Sequence, residues 1–202
     1  MSLTELLGFL TGVVNVWLLA RQVVWNWPVG IANNLFYFAA FLRSGLYGDA
    51  GLQLVYAALG AYGWWHWSHP SPDSSTPGSS ALAVTRTTRF TWMWIVPATA
   101  LATVALAIFL ARFTDSTVPR WDALTTALSL AATYGQTKKL LESWWIWILA
   151  DIVYVPLYIY KGLWLTSLLY AIFMMLCVVG LRAWRKTLGP AKQLSLRPDY
   201  FG

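Results

Sequence analysis

Two stretches of the sequence repeat one pattern: WWIWILADIVYVPLYIYKG at residues 144–162 and WPVGIANNLFYFAAFLRSG at residues 27–45. An offset of 117 residues aligns Trp27 with Trp144 and Asn34 with Asp151. The same offset aligns further pairs inside and outside the two stretches: Arg21 with Lys138, Tyr37 with Tyr154, Phe41 with Tyr158, Gly63 with Gly180, and Trp67 with Trp184. A register shared over this length predicts an internal duplication of the chain.

The composition is that of a membrane protein. Of the 202 residues, 58% are hydrophobic and 11% are charged, whereas soluble domains are about one quarter charged. The Lys and Arg residues lie at the ends of apolar runs, so the net charge of +6 indicates a preferred side of the membrane and anionic lipid rather than nucleic acid. The single cysteine, Cys177, excludes an internal disulfide.

Seven apolar runs predict seven transmembrane helices, taking about 20 residues as the length that crosses the hydrocarbon. They are residues 6–20, 25–42, 48–67, 91–111, 123–135, 144–160 and 163–183, of which the first and fifth are short. Three runs fall in each copy of the duplication and one lies between the copies. Because four spans separate equivalent positions, both copies enter the membrane in the same direction, as in transporters built from parallel repeats. The predicted fold is an all-α membrane protein with a three-plus-one-plus-three plan.

The boundaries of this plan follow from the polar segments. We expect the following units: a first three-helix repeat at 1–67, a polar linker at 68–90, a linker transmembrane helix at 91–112, a second three-helix repeat at 113–184, and a cytoplasmic tail at 185–202. Ten of the 14 Lys and Arg residues fall on one side of this topology, which predicts that the N-terminus lies outside and the C-terminus inside. Six tryptophans near run ends are expected at the headgroup level: Trp64, Trp65, Trp67, Trp92, Trp94 and Trp184.

One face of the sixth run carries aromatic and acidic side chains that could hold a substrate. Steps of three or four residues place five of them on one side of a helix: Trp144, Trp147, Asp151, Tyr154 and Tyr158. A carboxylate near the bilayer centre costs roughly 2.5–3.5 kcal/mol, so Asp151 is expected to face a cavity, a partner or a ligand. The alternative is that Asp151 bonds to another helix and the aromatic rings pack the bundle.

The second and third runs supply a matching set of candidates. These are Trp27, Asn34 and Tyr37 in the second run, and Gln53 and Tyr56 in the third. An amide in an apolar helix can instead bond a neighbouring helix, at about 0.6 kcal/mol on average, and packing is the stronger interpretation for Gln53 or Tyr56 taken alone. Two matching faces predict a central path. A pocket of aromatic rings with one acid suits a flat ring, above all a cationic one.

The sequence favours neither a metal, a cofactor nor an enzyme. His66 and His69 form an HxxH at a membrane edge, a weak metal signal that we interpret as interfacial. No Walker loop, G-x-S-x-G or H-E-x-x-H occurs. The seventh run holds no lysine, which excludes a retinal Schiff base. An intramembrane enzyme using Asp151 is the alternative class, although no second titratable group is placed to share the work.

Residues 27–67 and 138–180 resemble the PnuC family of bacterial nicotinamide riboside (vitamin B3) transporters. The resemblance is carried by the tryptophans, by LYGDAGLQ at residues 46–53, and by the acidic and aromatic span around Asp151. It implies a protomer similar to the SWEET sugar transporters, assembled as a homotrimer in the bacterial inner membrane. It further implies facilitated diffusion of nicotinamide riboside by alternating access, with the vitamin trapped by a cytoplasmic kinase that produces the mononucleotide for NAD biosynthesis.

The resemblance also implies roles for the candidate residues. Trp144 and Trp147 would flank the ring, and Asp151 and Asn34 would bond the carboxamide or the ribose. The remaining wall would come from Tyr154, Tyr158 and Gln53. Relatives of the family carry riboflavin, thiamine or deoxynucleosides, so these are the alternative substrates, with proton coupling through Asp151 as a variant. Pro28 and Pro156 are candidate hinges.

Overall fold

The described part of the chain is a bundle of α-helices. The computed structural model describes residues 3–43, 47–69, 82–114, 116–160, 162 and 164–188, of which 3–9, 40–43, 47–49 and 165–166 are described as backbone only. Its helices are α1 (Leu3–Ala20), α2 (Asn26–Arg43), α3 (Tyr47–Ser68), α4 (Arg89–Phe113), α5 (Pro119–Thr137), α6 (Ser143–Tyr160) and α7 (Trp164–Lys186). Within these ranges the predicted all-helical fold with seven helices is confirmed.

The fifth helix is longer than its apolar run. We expected a short span at residues 123–135, but α5 has 19 residues and begins with Pro119 at its first turn. Proline suits this position because its missing N–H would have no partner there. The turns that the apolar run left out carry polar residues such as Asp122 and Gln136. One face of α5 is buried and rich in small and hydroxyl side chains, including Ala123, Thr125 and Ser129, so α5 packs closely against its neighbours.

Three helices are long and apolar enough to cross a membrane by length and composition, among the residues described. They are Arg89–Phe113, Ser143–Tyr160 and Ser167–Lys186, and Leu10–Ala20 is a shorter apolar helix. In α4, the hydroxyls of Thr99 and Thr103 donate to the carbonyls four residues earlier, at 2.7 and 2.8 Å. These bonds satisfy the hydroxyls inside an apolar helix. None of the residues of α4 is buried within the chain, and α4 packs against α5.

The second helix of each half of the chain has one tryptophan in its first turn, and these two tryptophans pack in the same way. Trp27 of α2 lies against Gly63 of α3, where an added Cβ would stand 2.6 Å from the indole. Trp144 of α6 lies against Gly180 of α7 in the same arrangement. Both indoles are buried, at 6% and 0% exposed. The two glycines are therefore required for close helix packing, and both pairs obey the offset of 117 residues.

The turns between α1 and α2 and between α5 and α6 also match. Gln22 and Lys139 both adopt a left-handed backbone, with φ of 58° and 50°, which is uncommon outside glycine. The Gln22 N–H donates to the carbonyl of Leu19, and the Lys139 N–H donates to the carbonyl of Gln136. The positions in each pair are 117 residues apart, so the two turns share one geometry.

Two of the six tryptophans expected at the headgroup level are buried inside the protein instead of facing lipid headgroups. Trp67 and Trp184 are 4% and 0% exposed and belong to the hydrophobic core. Their rings pack on the buried indoles of Trp27 and Trp144 at 5.4 and 5.3 Å between centroids, each nearly perpendicular. The positions of the run ends alone did not show that the ends of these two helices pack against each other inside the bundle. Trp65 and Trp94, by contrast, are exposed.

Candidate functional site

Asp151 occupies the middle of α6 and is 1% exposed. The Cys177 thiol of α7 donates to its Oδ2 at 3.7 Å. A thiol is a weak donor, so this contact compensates little of the cost of burying a carboxylate. The carboxylate therefore retains a strong tendency to accept hydrogen bonds or to pair with a cation.

A cluster of three tyrosines lies beside Asp151, and we call Tyr154, Tyr158 and Tyr170 the tyrosine wall. Tyr154 and Tyr158 are one turn apart on α6 and stack at 5.7 Å with 17° between ring planes. Tyr170 of α7 packs on both, at 4.4 and 5.1 Å between centroids. The Ser129 hydroxyl of α5 lies 3.5 Å from the Tyr154 hydroxyl. The wall presents flat faces with phenol groups at their edges, which suits a ring with polar edges.

Other helices complete the surroundings of the wall. Tyr56 of α3 shares a side-chain hydrogen bond with Ser129 of α5, whose hydroxyl also lies 3.5 Å from the Tyr154 hydroxyl. Phe173 of α7 meets Tyr170 edge-on at 5.8 Å, and its ring lies close to Gly12 of α1. The tyrosine wall therefore lies where α6 and α7 meet helices of the other half of the chain.

Tyr170 and Phe173 are the aromatic members of this cluster that sequence reasoning missed, and Ser129 and Cys177 were also not candidates. A signal was present, since the offset of 117 residues relates Gln53 to Tyr170 and Tyr56 to Phe173. Both α3 residues were candidates, so the register alone could have added their counterparts. The sequence analysis assigned no role to the aromatic side chains of the seventh run.

The candidates on α2 and α3 are placed less closely together. Asn34, Tyr37 and Gln53 are each partly buried. Tyr37 meets the neighbouring Phe36 edge-on at 5.8 Å. Among the described residues, Tyr56 is connected to the tyrosine wall through Ser129. No contact among these residues connects Asn34 or Gln53 to the wall. Substrate contact by Asn34, Tyr37 and Gln53 stays a prediction.

The three tryptophan candidates lie at one end of the bundle. Trp27 and Trp144 are part of the hydrophobic core, and Trp147 is partly buried against it. The buried Nε1 atoms of Trp27 and Trp144 have no hydrogen-bond partner within the described structure. Since an indole N–H normally finds a partner when buried, these two donors are open to a water or a ligand. Direct substrate contact by these tryptophans also stays a prediction.

No group of three or more His, Cys, Asp or Glu side chains that could hold a metal occurs among the described residues. Two shallow surface pockets lie away from Asp151: one is lined by residues of α4 and α5, including Arg112 and Arg120, and the other includes Trp25 and Trp64. The Asp151 carboxylate itself is closed off from solvent in this conformation, whereas the three tyrosines of the wall are each partly exposed.

Comparison with known proteins connects these features to transport. A family model described as nicotinamide mononucleotide transporter matches residues 2–186. The riboflavin/roseoflavin transporter RibM of Streptomyces davaonensis is 31% identical over 186 residues, covering 90% of this chain and 84% of that protein. The nicotinamide riboside transporter PnuC of Escherichia coli is 22% identical over 204 residues, covering 91% and 85%.

A crystal structure of the vitamin B3 transporter PnuC has a similar fold. Its TM-score is 0.67 at 22% identity, covering 90% of this chain and 80% of that chain. These relatives and this fold are those of membrane transporters and not of enzymes, which removes the alternative of an intramembrane enzyme.

Proposed function

Because the chain belongs to the nicotinamide mononucleotide transporter (PnuC) family, whose model matches residues 2–186, we propose that it carries a flat heteroaromatic vitamin across the membrane. The observation that carries the proposal is the tyrosine wall beside the buried carboxylate of Asp151. Each stacked pair of rings contributes about 0.5–1.5 kcal/mol beyond the burial of its area. Asp151 and the phenol groups supply acceptors and donors for the polar edge of the ring.

Riboflavin is the first candidate substrate. The relative named for riboflavin is 31% identical, whereas the relative named for nicotinamide riboside is 22% identical. An isoalloxazine ring is flat and neutral, with carbonyl and N–H groups along one edge. It can stack on the tyrosine wall and needs no counter-charge.

Nicotinamide riboside, which the sequence analysis predicted, is the second candidate. The buried carboxylate of Asp151 favours it, because the pyridinium ring of this vitamin carries a positive charge. A cation placed over a desolvated aromatic ring gains about 2 kcal/mol, and Tyr154 and Tyr158 lie one and two turns along α6 from the acid. A cationic substrate would therefore use the acid and the rings together.

The duplicated contacts support a plan of two parallel three-helix repeats, α1–α3 and α5–α7, joined by α4 in the manner of the SWEET transporters. The support comes from the matched Trp27 and Trp144 packing and the matched turns at Gln22 and Lys139. The apolar surface of α4 suits lipid or a neighbouring protomer of a homotrimer. We place the C-terminus in the cytoplasm of a bacterial inner membrane, where a kinase would trap the vitamin after facilitated diffusion.

Calorimetric titration of the purified protein tests the substrate. Riboflavin, nicotinamide riboside, its mononucleotide and thiamine are titrated in turn. Saturable heat from riboflavin alone is expected. Heat from nicotinamide riboside alone would replace the first candidate by the second, and no heat from any of them would reject the proposal of a heteroaromatic vitamin of this set.

Uptake into proteoliposomes tests the mechanism. Facilitated diffusion predicts uptake that stops when the inside and outside concentrations are equal and that does not respond to an imposed pH gradient. Accumulation driven by a pH gradient would instead establish proton coupling.

A further inference from the structure

Two indole N–H groups hold the halves of the chain together at one end of the bundle. The Trp67 Nε1 of α3 donates to the carbonyls of Gln136 and Thr137, both at 3.2 Å, where α5 ends. The Trp184 Nε1 of α7 donates to the carbonyl of Leu19 at 3.2 Å, where α1 ends. Each half therefore uses its last helix to bind the end of the first helix of the other half. The positions of Trp67 and Trp184, and of Leu19 and Gln136, are related by the offset of 117 residues.

A polar pair joins the same two halves between these indoles. The Lys139 Nζ donates to the Gln22 Oε1 at 3.1 Å. The same Nζ lies 4.3 Å from the centroid of the Trp67 ring, and the two indoles are 6.0 Å apart. Gln22 and Lys139 are themselves 117 residues apart, so equivalent positions of the two halves touch. We call Gln22, Trp67, Lys139 and Trp184 the indole clamp.

The indole clamp closes this end of the region between the halves. Trp67, Lys139 and Trp184 are each less than 5% exposed, and the clamp indoles pack on the buried rings of Trp27 and Trp144. Among the described residues, side chains buried to this extent leave little accessible space between the halves at this end. The tyrosine wall and Asp151 lie further along α6 and α7 from this end.

The chemistry of the clamp suits repeated opening. Besides the contact between its two indoles, its contacts between the halves are hydrogen bonds and a cation over a ring. Water can replace the hydrogen bonds when the halves separate. The equivalent positions hold one glutamine and one lysine, which attract each other, whereas two ammonium groups at this distance would repel.

We propose that the indole clamp is the gate at this end of the path, closed in this conformation, and that it must separate each time substrate passes. This inference rests on the proposed transport function. Neighbouring charges do not supply the contacts of the gate: Lys138 lies over the ring of Tyr62, and the carboxylate of Glu142 accepts from the N–H and hydroxyl of Thr87.

Cross-linking tests whether the clamp must open. In the Gln22→Cys/Lys139→Cys double variant, a short, cleavable bifunctional thiol reagent should abolish uptake of the bound vitamin into proteoliposomes, and cleavage should restore it. Calorimetric binding should survive the cross-link. The matched control is Tyr62→Cys/His66→Cys, whose side chains stack one turn apart on α3 alone and whose cross-link should leave uptake unchanged. Uptake at the original rate by the cross-linked protein would overturn the proposal that the indole clamp is a gate.

A second measurement needs no substrate and separates failure of the gate from failure of the proposed function. The natural thiol of Cys177 is 4% exposed. Cys177 lies on α7 about two turns before Trp184 of the clamp, and its thiol contacts Asp151 of α6. Gln22→Lys should speed the reaction of Cys177 with a soluble maleimide severalfold, because two ammonium groups would face each other at the clamp. Lys138→Gln should leave the rate unchanged. An unaltered rate in folded Gln22→Lys protein would show that the clamp does not close this end.

Discussion

Replacing Gly63 by alanine tests the close packing of α2 against α3 in the first half most directly. A Cβ at Gly63 would stand 2.6 Å from two carbons of the Trp27 indole, whereas ordinary contacts begin at 3.4 Å. The indole has little room to withdraw, since Trp27 is 6% exposed and its other side meets Trp67 at 5.4 Å. We therefore expect Gly63→Ala to destabilise the fold.

The magnitude follows from two opposing terms. Overpacking a tight core costs about 1–3 kcal/mol, while alanine in place of glycine inside a helix contributes about 0.5–1 kcal/mol of stability. The net loss for Gly63→Ala is then roughly 0–2.5 kcal/mol, which corresponds to a decrease of up to about 10 °C in the unfolding midpoint for a chain of this size.

Gly51 provides the matched control on the same helix. An added Cβ there meets nothing within 4 Å, so Gly51→Ala should keep or slightly raise the midpoint. Thermal unfolding of the two variants in the same detergent, followed by size-exclusion chromatography with fluorescence detection, measures the difference. Gly63→Ala protein as stable as Gly51→Ala protein would refute the close approach of Trp27. The double variant Gly63→Ala/Trp27→Phe should recover part of the loss, because a smaller ring frees the space.

Three further perturbations address the site and the clamp. Tyr170→Ala should weaken vitamin binding by about threefold to tenfold through lost stacking. Tyr160→Ala, at a position 80% exposed, should leave vitamin binding unchanged. Equal affinities of the two variants in calorimetry would remove Tyr170 from the site. Asp151→Asn should keep riboflavin affinity within about threefold, since the ring is neutral. A loss beyond about tenfold would show that the neutral ring depends on the carboxylate itself. Burial lowers the pKa of Lys139 from 10.5 to about 8, so the unfolded chain holds this proton over a pH range in which the folded chain has released it. Stability should therefore rise with pH between about 8 and 10.5 through this group. In unfolding midpoints measured across that range, the rise of stability with pH should be lost in Lys139→Gln and kept in Lys138→Gln. An identical pH dependence in both variants would contradict the burial of the Lys139 ammonium group.

Much of the fold could be predicted from the sequence because its signals are local or periodic. Runs of apolar residues predicted the seven helices, and the register between Trp27 and Trp144 predicted which positions share an environment. The spacing of Asp151, Tyr154 and Tyr158 along one helix placed them on one face.

The sequence by itself determined the helices, the shared register and the acidic, aromatic face of α6, since each depends on neighbours along the chain. Tertiary structure alone decided that Trp67 and Trp184 leave the lipid surface for the core, and that Tyr170 and Cys177 come to Tyr154 and Asp151. The reason is that a contact between helices depends on the rotation and crossing of both, which all the packed neighbours set together.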